Sequence, residues 1–212
     1  MDSASQTTPD ERQLYQQVWF LDQQLNCLPF LKNLSPERIC ACQYEHMILN
    51  IYHLSKFWSS RYQAVEKSLE IPSFALIKWH LNALQEEIEH FESFYLTFQQ
   101  PAVHTTALTV EDYLGCSYVI HFWQSNAKNV LSALESAPFL ANHTFSFEYL
   151  RAIDSTKASV QWQEWREIFS DWSYQRHLCQ VKLTQSATDQ FNRLVEFFAK
   201  NQLPSSSRRC IS

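Results

Sequence analysis

Glu87-Ile88-Glu89-His90 holds the spacing with the clearest claim to chemistry in this chain. On a helix, a carboxylate and an imidazole three residues apart share one face, and such a pair is half of a carboxylate-bridged iron site. A complete site needs further inward carboxylates and a second imidazole. Glu45, His46, His53, Glu111 and His121 are the candidates, and no second E-x-x-H occurs. The competing account is a solvated acidic face, because Glu86, Glu87, Glu89, His90 and Glu92 cluster beside an apolar stripe. A second grouping is His121 with Ser125 and Asn126, one helical turn on, a polar trio able to orient a ligand or a water.

Other chemistries lack their parts. The chain has a single glycine, Gly115, so a glycine-rich phosphate loop is absent. No G-x-S-x-G occurs. Cys27, Cys40, Cys42, Cys116, Cys179 and Cys210 follow neither zinc nor redox spacing and are expected to be mostly buried thiols. Neither Cys116 nor Cys179 has a local nucleophile motif around it.

Composition sets the frame that must position these groups. The 212 residues are 45% hydrophobic and 15% aromatic, enough for one sizeable core. A formal net charge of −5 argues against a nucleic-acid binder working through a basic surface. No stretch reads as a membrane span, the first residues are polar, and the expected location is the cytoplasm.

The expected organisation is a polar tail over 1–9, an all-α single domain of six to seven helices over 10–203, and a second tail over 204–212. Leu14, Val18, Leu21 and Leu25 set a helix over 10–27. Ser35-Pro36-Glu37 starts another that runs to about Leu69, with Met47, Ile51, Leu54 and Trp58 inward. Phe74, Ile77, Leu81, Leu84, Ile88, Phe91, Tyr95 and Phe98 predict a long third helix. Thr109 with Asp112 forms a capping box that opens a helix from Val110 to about Ser136. A short segment near 145–153, a Trp-rich helix near 160–172 and a last helix near 176–200 follow. The inner stripe of that last helix is read as Val181, Thr184, Ala187, Phe191, Leu194 and Phe198.

The stretch from Tyr118 through His121-Phe122-Trp123-Gln124-Ser125-Asn126-Ala127 to Leu134 resembles the distal helix of bacterial biliverdin-producing heme oxygenases. Phe145–Leu150, Trp162 or Trp165 with Phe169, and Ala187 with Phe191 and Leu194 resemble the later elements of that family. The resemblance implies a heme-oxygenase-like bundle with a ligand between the first and the distal helix. Gln17 would face that ligand from one side and His121, Phe122, Ser125 and Asn126 from the other, with Phe191 beneath. Heme, a bilin or another planar or apolar small molecule is the ligand so implied, and oxygen-dependent oxidation is the reaction class.

The departures fall on the same positions. Family glycines are replaced by Phe122, Asn126 and Ala127, the acidic position by His121, and the proximal histidine falls near Gln17. Heme cleavage needs an axial ligand and an open distal face, so the resemblance does not carry the reaction over. Two alternatives stand beside it: a non-catalytic interaction protein whose interior is filled by its own side chains, and a non-heme iron oxidase using Glu87 and His90.

Overall fold

A computed structural model of the chain describes residues 41–68, 77, 79–91, 108–125, 127–137, 145–154, 164–165 and 178–200. Within them lie six helices and no strand: α1 (Ala41–Ser68), α2 (Leu81–Ile88), α3 (Val110–Ser125), α4 (Ala127–Glu135), α5 (Glu148–Asp154) and α6 (Gln180–Lys200). The architecture is an all-α bundle around one hydrophobic cluster. The expected first helix, both tails, Gln17 and Asn126 lie outside the described residues, as does most of the Trp-rich segment.

In α1 the inner face is the one its spacing dictates. Met47, Ile51, Leu54 and Trp58 are all buried, and Tyr44 and Tyr62 extend the stripe at either end. The third predicted helix is shorter than its stripe. His80 has φ 50°, a left-handed backbone that a β-carbon disfavours, and it stands as the cap before Leu81. The helix closes at Ile88, with Glu89 and His90 in the turn beyond. Ile77, Leu84, Ile88 and Phe91 are nevertheless buried as expected.

The start of α3 follows its sequence signal. The Thr109 N–H donates to Asp112 Oδ2 at 2.9 Å, and the Asp112 N–H donates back to Thr109 Oγ1 at 3.2 Å. Asp112 also accepts from Ser186 Oγ of α6 at 3.2 Å, which ties the cap to the neighbouring helix. Thr109→Ala removes one side of the box and is expected to lower stability by about 1 kcal/mol, read as a shift in urea midpoint at unchanged slope.

In α6 the predicted stripe holds at Ala187, Phe191 and Leu194 and slips at its start, where Leu183 is buried in place of Val181; the Phe198 side chain lies outside the described ones. Leu183, Ala187, Phe191, Leu194 and Phe197 are buried, whereas Val181 is 79% exposed. Counting in threes from Val181 walks around the helix; mixed steps of three and four keep to the face that meets α3. That meeting is tight. A β-carbon built on Gly115 would lie 2.7 Å from the backbone nitrogen of Ala187 and 2.7 Å from Ser186 Oγ. The sole glycine therefore serves helix–helix approach. No helix among the described residues is long and apolar enough to cross a membrane.

Candidate functional site

A cavity lies between the facing sides of α1 and α3. Ile51, Leu54, Ser55 and Trp58 fall at helical spacing on α1, and Val119, Ile120, Trp123 and Gln124 do so on α3. Trp79 ends one side, its ring 6.2 Å from that of Trp58, while Tyr149 of α5 and Leu194 of α6 complete the lining. The Trp123 indole lies beside the Tyr149 hydroxyl. The lining is apolar and aromatic, with the Ser55 hydroxyl and the Gln124 amide as its polar marks. Its free volume is about 30 Å³, enough for two or three waters at ~10–15 Å³ each.

His121 does not line this cavity. It is buried, with its ring 5.2 Å from that of Trp165 and tilted 32° to it. Trp165 also meets the Tyr118 ring edge-on at 5.6 Å. An indole therefore covers this face of α3. For Phe122 and Ser125 the helical backbone alone is described, so the polar trio cannot be assembled beyond His121. Phe191 is buried in α6 as part of the core.

Glu87 and His90 separate. Glu87 is buried at 1% exposure, and His90 is exposed in the turn after α2. The Tyr44 hydroxyl of α1 donates to Glu87 Oε1, and the Tyr149 backbone N–H of α5 donates to Oε2 at 3.0 Å. Burial pushes the Glu87 carboxyl above its ordinary 4.5, against the pull of these two hydrogen bonds. Both oxygens thus have protein partners, and the carboxylate joins three elements. Around it the Tyr44 ring is met edge-on by Phe145 at 5.0 Å and Phe147 at 5.1 Å.

The remaining candidates do not converge. Among the described residues no three His, Cys, Asp or Glu side chains are placed to hold a metal ion. His46 is buried in α1, while His53 is half-buried, its pKa lowered by burial and then by Lys56. Glu45 and Glu111 are part-exposed. Cys116 is fully buried, and burial raises its thiol far above the ordinary range, so it lacks thiolate character. Cys42 and Cys179 are free thiols as well, the first part-exposed and the second exposed, against the expectation of burial.

Sequence reasoning missed Ser55, Trp79, Trp123, Gln124 and Tyr149 as a group. Trp58 was read as core. The available signal was the doublet Trp123-Gln124, an amphipathic ring beside an amide one turn beyond Val119-Ile120.

The slot that the family resemblance implies for heme has one side, the helix over 10–27 with Gln17, outside the described residues; the cavity between α1 and α3 is a separate space and does not fit heme. Its lining contains no imidazole, thiolate or thioether, and its one phenol, Tyr149, is held protonated by burial, which raises its pKa. Its free volume is far below the several hundred cubic ångströms of small-molecule sites, ~300–1,000 Å³. Comparison with protein-family models, curated proteins and solved structures finds no match.

Proposed function

We propose that this chain is a binding protein with a heme-oxygenase-like helical architecture, taking a small planar apolar molecule between α1 and α3 without transforming it. The observation that carries this reading is the cavity lining: Trp58, Trp79 and Trp123 around the space, with Ser55 and Gln124 to orient a polar edge. Aromatic walls with few polar groups suit a flat, weakly polar ligand. The polar groups of the lining are the Ser55 hydroxyl, the Gln124 amide and the Tyr149 phenol, with no carboxylate or imidazole beside them to act as a base, which favours binding over catalysis.

The test is a titration of purified protein with indole, naphthol, biliverdin and heme. Indole or naphthol is expected to quench tryptophan emission saturably, and Val119→Phe, which fills the cavity, to weaken that binding at least tenfold. Heme is expected to give no Soret shift. A stoichiometric Soret shift abolished by His121→Ala would restore the heme reading and sink this one. Saturable binding unaffected by Val119→Phe would place the ligand elsewhere.

A second reading has its own support. Trp165 against His121 and Tyr118 closes the distal face with the protein's own side chains. That favours a non-catalytic interaction protein, the outcome expected if no member of the panel binds. The iron-oxidase reading loses its pair, because Glu87 is engaged by Tyr44 and Tyr149 while His90 faces solvent.

A further inference from the structure

The closed cavity is smaller than any planar ligand, so a binding role requires part of its wall to move. Tyr149 is the wall residue with the least self-supporting backbone. It lies in the first turn of α5, a helix of only seven residues, which cannot hold its shape without tertiary contacts. The residue leading into it, Phe147, has φ 52°, a left-handed conformation costing about 1–2 kcal/mol at a non-glycine residue. Such strain persists only where surrounding contacts impose it.

Those contacts are the packing of α5 on α2 and α4, the burial of Phe147 against the Tyr44 and Phe145 rings, and a small set of hydrogen bonds. Glu87 Oε2 accepts the Tyr149 N–H, and Glu87 Oε1 is anchored in turn by the Tyr44 hydroxyl of α1. The Tyr149 side chain lines the cavity beside Trp123. Leu150 and Ile153 pack inward. The Arg151–Glu135 pair, at 3.4 Å, is exposed on both sides and adds little. One residue therefore has its backbone on the Glu87 catch and its ring in the cavity wall.

We infer that α5 is a movable wall of the cavity, with the Glu87 carboxylate as the catch that holds it closed. Lifting α5 breaks the Tyr149 N–H···Glu87 hydrogen bond, draws Tyr149 away from Trp123, relaxes Phe147, and opens the space beside Trp123 to a planar ligand. The idea rests on the cavity being the binding site, but its test uses no ligand, so the two stand or fall separately.

The experiment places a thiol in the lining by Val119→Cys and follows its alkylation by iodoacetamide, located residue by residue by tandem mass spectrometry. Native Cys116, one turn away and fully buried outside the lining, reports global opening in the same sample. Glu87→Leu keeps bulk but removes both acceptors. Glu87→Gln keeps an acceptor for the Tyr149 N–H, while the Tyr44 hydroxyl turns to accept from the amide. Alkylation at Val119→Cys is expected to rise at least tenfold in Glu87→Leu and to change little in Glu87→Gln, with Cys116 unchanged in both. Equal acceleration at both thiols, or none at either, overturns the inference. Should Glu87→Leu fail to fold, native-state hydrogen exchange of the unaltered chain decides. The Tyr149 and Arg151 amides are expected to exchange at least tenfold faster than those of Tyr118 and Val119 in α3. Equal protection overturns the movable wall.

Discussion

Replacing Gly115 with alanine is expected to destabilise the bundle by about 1–3 kcal/mol. In an exposed helix the same change would stabilise, since alanine is favoured over glycine by about 1 kcal/mol. The contact reverses the sign. The added β-carbon would lie 2.7 Å from the Ala187 nitrogen and 2.9 Å from Ser186 Cβ. Neither is the loose end of a flexible side chain: one is backbone and the other is fixed to it. Relief requires α3 and α6 to part, and their separation would disturb Ala187, Phe191 and the Ser186–Asp112 hydrogen bond together. Ser186→Gly, added to Gly115→Ala, removes the contacts with Ser186 but leaves the Ala187 backbone in place. It is therefore expected to rescue only part of the loss. Urea unfolding of the two variants measures this, and a Gly115→Ala protein as stable as the parent would refute the close approach.

The helix pattern was legible where side chains alone decide it. Met47, Ile51, Leu54 and Trp58 repeat at helical spacing and are buried together, and Thr109 with Asp112 forms the cap their types promise. It was not legible where backbone decides. Nothing in the residue type of His80 announces a left-handed φ, so the apolar run around it reads as one long helix. The same cause undid the Glu87–His90 pair. Three-residue spacing places both on one face only while the helix continues, and α2 stops at Ile88. Glu87 was flagged for its carboxylate, but its partners Tyr44 and Tyr149 lie 43 and 62 positions away and leave no local trace. The cavity is hidden for a related reason. Trp58, Trp79 and Trp123 come from separate segments, and each alone has the aspect of ordinary core.

Glu87→Ala is expected to cost about 3 kcal/mol or more, because it strands the Tyr44 hydroxyl and the Tyr149 N–H in an apolar interior at about 1–3 kcal/mol apiece. Glu87→Gln separates that structural loss from the effect of charge. The carboxyl is surrounded by Tyr44 from α1 and by Glu148 and Arg151 from α5, with the His80 ring packed near Tyr149. Burial is the largest influence and raises its pKa above 4.5; Glu148 raises it further, while the two hydrogen bonds and Arg151 oppose. A carboxyl whose pKa rises on folding holds its proton more tightly in the native state. Its contribution is therefore fullest below 4.5 and is lost as pH climbs through the raised native pKa, after which it stays constant. The amide of Glu87→Gln carries no such dependence, and the other titrating groups are common to both proteins. The stability of Glu87→Gln relative to the parent is accordingly expected to increase with pH across that window and then level off. Urea unfolding of both proteins over a pH series reads the difference directly. A parent that instead gains on Glu87→Gln as pH rises would mean that Tyr44 and the Tyr149 N–H outweigh burial, and that the catch on α5 is tightest when the carboxylate is charged.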